Sequence, residues 1–587
     1  MPSGLENLEA NRFILRYEHP FAGIASDALP EDIAPSQLVS CDGLLIRNGR
    51  LCSTNYYTFE PSLFKFGIDG NATYWNKPPG SQDIVAIYTT GSLVVAIDYA
   101  CNTYKYDFTN FKWVPDQSPI IVPPTQQPQY SCSYMIKGVI YIFDWHNGNQ
   151  WVYTPLVSVV PGTWFVGGKY CMTIGRYLIT ANTNQNGYTY IGPDGNPVTV
   201  NATIRPDGYS WSVPSHYTEF GPITGDSVLD PNQADGRLTG QNYLAEVQNE
   251  ITGCFAMGNV GYILHDQGVT QLTPTGVDIA PFDLTLLWGG KDGVGCTMPT
   301  TLAIYGYIGV WGNNNNFYVF TSGAAPQEIC GSSKAAIFDD INRFVHNENA
   351  WLNIHGQICN CGVDDTDPEM VYNLYIISTK PPFVPPISMT IWTYVFRTQT
   401  WTRHTVYVDD ILKRITGNPN YQATFRNVST SVIAQTFKFP LILDGYGNDT
   451  YISPLYGGII FNTWPGGQGN WDAFMLFQYI NQDGIPNLAE APPVTNLTFR
   501  TEEFQIYRQP TIRGVILRAA GTGTLHINIG GTSFTDISVN SLGKTSLYRS
   551  FGMHTNQAPT INITSTDFNG YITKVHAFGT YAEGEPI

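Results

Sequence analysis

Apolar residues in this chain recur mostly at every second position, in short runs broken by Gly, Pro, Asn and Asp. That is the period of a strand, whose side chains alternate between the two faces of a sheet. Apolar positions spaced three and four apart, the helical pattern, are scarce. The runs come in pairs. "SLVVAID" (92–98) is followed by "TYKYDF" (103–108), and "GVIYIFD" (138–144) by "QWVYT" (150–154). "VGYILHD" (260–266) precedes "GVTQLTP" (268–274), and "YGYIGVWG" (305–312) precedes "NFYVFTS" (316–322). "VYNLYIIS" (371–378) leads to "IWTYVFRTQTW" (391–401), and "PLILDG" (440–445) to "DTYISPL" (449–455). Each pair has one form: a solidly apolar strand, a tight polar turn, then a strand that alternates aromatic and polar residues.

Three segments add a second rule. "LFKFGIDGNATYW" (63–75), "YKYDFTNFKW" (104–113) and "YVFRTQTW" (394–401) place aromatics two apart, then a polar turn, then a Trp. This predicts two adjacent antiparallel strands with the Trp near the start of the second. The units recur at roughly 40 to 70 residues, the order of a four-stranded propeller blade. The prediction is an all-β chain with a β-propeller of six to eight blades over 41–490. A pile of β-sandwiches is the competing architecture. Loop insertions are expected at about 182–201, where Asp194-Gly195 marks a turn, at 230–243 and at 464–490. A Pro-rich linker ends near Ala491. Cleanly alternating runs follow, such as "TIRGVILRAAG" and "GTLHINIGG", so 491–587 reads as a C-terminal antiparallel β-sandwich.

"LPEDIAPSQLVSCDGLLIRNGRL" (29–51) stands before the propeller. Pro30 and Pro35 block a helix. Asn48-Gly49 between two apolar runs predicts a tight hairpin. Residues 1–40 are expected to be an extended arm that docks along a neighbour.

Composition sharpens this picture. Of 587 residues, 43% are apolar, enough for a large core, and 13% are charged, about half the ordinary share. Forty-seven acids against 30 bases give a net charge of −17, which argues against a phosphate grip; simple solubility accounts for it, and an acidic wall would also let nucleic acid slide past. "MPSGLENLEANRF" has no basic and apolar leader, and no apolar run approaches the span of a membrane helix. The ten cysteines form no CxxC and are expected as reduced, mostly buried thiols; "CNC" at Cys359 and Cys361 is not a zinc site by itself. No metal or cofactor is expected.

Catalytic patterns are missing. There is no phosphate-binding loop, HExxH or GxSxG, and "GGKDGVG" (289–295) has the wrong glycine spacing. "DDTDPE" (364–369) lacks the Gly and distal Glu of a calcium loop. Asp207 is followed at once by Gly208, a spacing unlike that of sialidase Asp-box turns. Asp98, Asp144, Asp266 and Glu328 sit at strand ends, where acids usually form turns. The expectation is a protein that is not an enzyme.

The opening stretch resembles the start of the tail nozzle, or tail hub, proteins of short-tailed bacteriophages, the tail tubular protein B-like family. The residues that carry the likeness are Leu29-Pro30, Pro35, Gln37-Leu38-Val39 and Ile46-Arg47-Asn48-Gly49-Arg50-Leu51. "YSWS" (209–212) with "YTEFGP" (217–222), then "NEITGCFAMGNVGYILHDQGVTQLTPTG" (249–276) and the late "RTEEFQI", follow in the same order. Cys41-Asp42-Gly43 departs from the family, where an Asn is more usual. The resemblance implies a structural virion protein in the tail, assembled in the host cytoplasm as a homohexameric ring. The ring would sit below the adaptor, or head-to-tail connector, pass viral DNA without specific binding, and anchor a tail fibre or tailspike, with no membrane partner. Leu29, Pro30, Pro35, Arg47, Asn48 and Gly49 would belong to the docking arm. Loops with Asp194 and Gly195, and with Asp472 and Asp483, would gate the channel or dock a fibre. Deleting residues 1–35 is expected to abolish ring attachment and leave the propeller folded. The alternative is a β-propeller that binds or hydrolyses glycans.

Overall fold

The structure is a computed structural model. It describes residues 5–9, 12–18, 20–25, 36–58, 83–90, 93–107, 112–118, 127–154, 158–161, 166–191, 196–218, 220, 239–244, 249–277, 280–289, 293–345, 351–361, 369–379, 388–407, 432–437, 442–443, 449–450, 456–463, 472–480, 495–500, 510–530, 532–533, 536–554 and 560–581.

The paired runs are the middle strands of four-stranded antiparallel meanders. The first blade is Ile84–Thr90, Leu93–Asp98, Thr103–Asp107 and Lys112–Gln117. The second is Cys132–Ile136, Val139–Asp144, Asn149–Thr154 and Ser158–Pro161. The third is Val166–Ile174, Tyr177–Gln185, Thr203–Trp211 and Gly240–Tyr243. The fourth runs from Ile251–Met257 through Val260–His265 and Gly268–Pro274 to Phe282–Trp288. The fifth comprises Met298–Tyr305, Ile308–Gly312, Phe317–Thr321 and the short Gln327–Glu328. The sixth holds Trp351–Cys361, Glu369–Thr379, Ser388–Val395 and Thr400–Tyr407. Val432–Phe437, Tyr456–Thr463 and Asp472–Ile480 give the seventh only three strands. Its fourth is Arg50–Thr58, from the other end of the chain, paired antiparallel with Asp472–Ile480.

The sheets form a β-propeller because neighbouring blades share apolar cores. Val95 and Ile97 of the first pack with Ile140 and Ile142 of the second. Ile174 and Trp211 of the third pack with Ile251 and Phe282 of the fourth. Phe255 and Tyr262 of the fourth pack with Trp311 and Phe320 of the fifth. The first strand of the seventh blade lies against the first strands of both the sixth and the first, which completes the circle. The aromatic–turn–Trp pattern is a cross-strand pair: Tyr106 opposes Trp113 and Tyr394 opposes Trp401, each with ring centroids 5.2 Å apart. The third example, at 63–75, lies outside the described residues. Among the described residues, the run at 440–455 contributes a hairpin of two-residue strands, Ile442–Leu443 with Asp449–Thr450, between the first two strands of the seventh blade. The insertion expected from residue 182 begins later, because Asn182 to Gln185 continue a blade strand; the inserted hairpin is Tyr188–Ile191 with Pro197–Val200.

The C-terminal unit is an antiparallel sandwich. Pro510–Ile529 pairs along its length with Ile537–His554 and Asn569–Tyr581, and its last residues pair with Thr560–Ser565. Thr495–Arg500 flanks Thr560–Ser565. The start of the chain is built into this unit. Arg12–Glu18 pairs with Asn569–Tyr581, and Ser40–Asp42 bridges Thr495–Arg500 to the sixth blade. Tyr17, Phe21, Ile24 and Leu38 are buried in one apolar core with Leu517, Val575, Trp392 and Trp401. Of the arm expected over 1–40, the described positions pair and pack within the chain itself. Truncation to residue 35 would uncover a sheet edge and remove core side chains. One helix, Lys334–Val345, was also not anticipated. Its Ile337 and Ile341, four residues apart, face the same core.

Two histidines are sealed into the sixth blade. Burial pushes His355 down to about 4. Burial and the adjacent Arg403 cation push His404 down to about 3. The folded protein holds both neutral while the unfolded chain protonates them near its ordinary 6.5. Their contribution to stability is thus complete above about pH 6.5 and is lost as pH falls towards 4. Chemical denaturation should show stability falling by about 1.4 kcal/mol per pH unit per histidine in that window. His355→Leu should flatten the slope; an unchanged slope would contradict the assignment.

Candidate functional site

Two polar constellations stand out against the apolar blades. The first ties the opening segment to the sixth blade. Asp42 lies beside Arg403 in a short parallel pairing. The Arg403 guanidinium donates from Nη1 to Asp42 Oδ2 at 2.9 Å, from Nε to Asp340 Oδ2 at 2.7 Å and from Nη2 to Asp340 Oδ1 at 3.3 Å. Thr405 donates its backbone N–H to Asp42 Oδ1 and its hydroxyl to Asp42 Oδ2, at 2.7 and 2.8 Å. Trp392 Nε1 donates to Asp340 Oδ2 at 3.0 Å. One guanidinium thus joins the N-terminal strand, the helix and the blade, a fork geometry that Lys cannot reproduce. Burial pulls Arg403 down, but the paired carboxylates outweigh it and hold it above its ordinary value. At Asp42 burial wins over Arg403 and raises the carboxyl. Around this node Ser333 Oγ donates to Ile24 O at 2.7 Å, and Trp401 Nε1 to Ile329 O at 2.6 Å.

The second lies where the innermost strands begin, on the face that carries the turns between second and third strands. Lys169 of the third blade donates from Nζ to Glu250 Oε1 at 2.8 Å, just ahead of the fourth blade. The same ammonium sits 4.5 Å from the ring centre of Trp145, in a turn of the second blade. Asn182 donates from Nδ2 to Glu250 Oε1 at 2.8 Å and to Ile251 O at 3.2 Å. It is fully buried, with a left-handed φ of 53° at an irregularity in its ladder, the kind of bulge that re-aims a side chain. Asn184 and Asn186, two and four residues on, reach the same turn through Trp145 O and Asn147 O. Lys169 holds Glu250 below its ordinary range. The approach is tight: a Cβ on Gly167 would lie 2.2 Å from Asp144 O. Asn182 Oδ1 and Trp145 Nε1 are buried and have no hydrogen-bond partner among the described residues.

Of the strand-end acids, Asp98 and Asp144 close turns, while Asp266 and Glu328 accept from more distant asparagines. Asp98 Oδ1 accepts the N–H groups of Ala100 and Asn102, and Asp144 Oδ1 that of Asn147. Asp266 accepts from Asn249, and Glu328 from Asn316. Among the described residues no group of three His, Cys, Asp or Glu could hold a metal ion, and no helix is long and apolar enough to cross a membrane.

The candidate residues separate. Asn48-Gly49 forms the expected tight turn, with φ of 46° and 71°. It is not loose: Arg397 Nη1 donates to Asn48 Oδ1 at 2.7 Å and Phe21 N–H to Gly49 O at 2.9 Å. Arg47 is buried. Asp472 is the first residue of its blade strand. Leu29, Pro30, Pro35, Asp194, Gly195 and Asp483 lie outside the described residues. The Lys169–Glu250–Asn182–Trp145 cluster was missed. Its one sequence signal is "NTNQN", three Asn at alternate positions, which puts amides on one side of a strand.

No family model and no curated protein matches this chain. Among solved structures it is similar to U3-55K, at 7% identity and TM-score 0.32, over 69% of this chain and 97% of that one. It is also similar to the computationally designed Ika8 protein, at 9% identity and TM-score 0.30, over 68% and 99%. A third is an exo-beta-1,3-galactanase from Phanerochaete chrysosporium, at 10% identity and TM-score 0.22, over 89% and 100%. Likenesses at this level carry no argument about function.

Replacing Arg403 should cost more than replacing either partner, because it strands the buried Asp340 and the half-buried Asp42 together instead of one charge. Arg403→Met is expected to lose about 3 to 5 kcal/mol in urea unfolding, and Asp42→Asn less. Equal losses would show that the three groups do not act through the arginine.

Proposed function

We propose that the chain is a structural subunit of a virion tail, the nozzle or hub ring through which DNA leaves a short-tailed phage. What carries the reading is the ordered resemblance from Leu29 to the C-terminal unit. One feature of the fold and one of the composition support it. The opening segment is stitched by strands into the C-terminal sandwich and by Arg403 into the sixth blade, so force on one part passes to the other. A part that carries load and guides a stiff polymer needs such continuity. The net charge of −17 suits a wall that DNA passes without sticking. On this reading the subunit assembles as a homohexamer against an adaptor and holds a fibre or spike, and the inserted hairpin of Tyr188–Ile191 and Pro197–Val200 faces the channel or the fibre.

Antibody against the chain, applied to the particles that encode it and viewed by electron microscopy, should label the tail tip. Particles without label, with the protein free in the lysate, would overturn the reading and favour the glycan-active alternative.

A further inference from the structure

We propose that Cys132 and Cys171 are a disulfide-forming site, a covalent link between the innermost strands of the second and third blades that a small disulfide oxidant installs in the folded protein. The inference goes beyond a virion role and does not depend on it.

Both residues are free thiols, and they alone among the described cysteines are half-buried; the others are buried. They face each other across one blade boundary. On Cys132–Ile136, the residues Cys132, Tyr134 and Ile136 share a face at alternate positions. All three pack with Cys171 in one cluster. On Val166–Ile174, Met172 and Ile174 pack into the core shared with the fourth blade, so the alternate positions Cys171 and Thr173 turn to the second. Two hydrogen bonds hold the two strands in register. Thr173 Oγ1 donates to Tyr134 Oη at 3.1 Å, and Cys132 Sγ donates to Gly168 O at 3.3 Å. The innermost strands of successive meanders run the same way, so two residues back from Tyr134 and Thr173 bring Cys132 beside Cys171. The two thiols lie within hydrogen-bonding reach of each other. Cys254 is buried with Met172 in the core on the far side of the strand.

Burial, and then the neighbouring Cys171 thiol, raise Cys132 well above the ordinary range, which makes it a poor first nucleophile. Cys171 opens the reaction. Its sulfur, having given its proton to water, attacks one sulfur of the oxidant and expels the other as a thiolate, which takes a proton up. The Cys132 sulfur then attacks the mixed disulfide at Cys171, and its proton leaves with the second oxidant thiol. One S–S bond forms between the strands and the oxidant's S–S bond breaks. Two electrons pass from the cysteines to the oxidant.

The test treats the folded full chain with oxidised glutathione, blocks free thiols with iodoacetamide in urea, and reads the peptides by mass spectrometry. Residues 132 and 171 should appear in one disulfide-linked peptide, and dithiothreitol should return both to thiols. Cys132→Ser, close in size and still a donor for Gly168 O, should stop at the mixed disulfide, with one glutathione on Cys171. Full alkylation of both cysteines in the oxidised native chain overturns the proposal. So does a link from Cys171 to Cys254 in place of Cys132. A folded Cys132→Ser protein that loses as many thiols as the native chain, with no glutathione attached, overturns it too, because the link would then lie elsewhere.

Discussion

A ring of sheets has to close, and this one closes with a strand from the far end of the chain. Three strands of the seventh blade come late in the sequence, and Arg50–Thr58 supplies the fourth. Each blade buries its faces only against its neighbours, so an incomplete blade leaves apolar surface and strand edges open on both sides. Closing the ring fixes where the N-terminal segment must run. Leu44–Arg47 and Arg50–Thr58 are the two arms of one hairpin, turned at Asn48-Gly49. The residues just ahead of it are therefore held beside the sixth blade, where Asp42 meets Arg403.

The same constraint joins the C-terminal unit to the propeller. Arg50–Thr58 pairs with Asp472–Ile480 and, at Leu51 and Cys52, with Asn569–Tyr581. Further upstream, Arg12–Glu18 extends the C-terminal sheet. The large side chains between the units, Trp392, Trp401, Tyr372 and Phe317, share one core with residues of both. Each fully buried aromatic of this kind contributes about 2 to 3 kcal/mol. Several such side chains together outweigh the ionic node, so packing holds the units together and the Asp42–Arg403–Asp340 network sets their register.

Much of the blade structure was legible in the chain. Strand alternation marked the middle strands of the first, second, fourth, fifth and sixth blades, since a buried strand followed by an aromatic-alternating one is a strong local signal. Asn48-Gly49 marked its turn because only such residues take two successive positive φ angles cheaply. The role of the first fifty residues was not legible. Two prolines and small residues say only that no helix forms; which distant strand a segment pairs with is decided by closure of the whole ring. The ionic node escaped notice for the same reason. Asp42, Asp340 and Arg403 are far apart in sequence, and none is unusual alone. The cluster at Trp145 gave one weak trace, alternate asparagines, while its Lys and Glu come from other blades.

The most direct measurement is a cross-link across the closing pair. Tyr57 and Phe477 are register partners on the two strands. A Tyr57→Cys, Phe477→Cys protein, oxidised while folded, should yield a disulfide-linked peptide joining positions 57 and 477 by mass spectrometry, within one chain. Free thiols at both positions in the folded protein would contradict closure by the N-terminal strand.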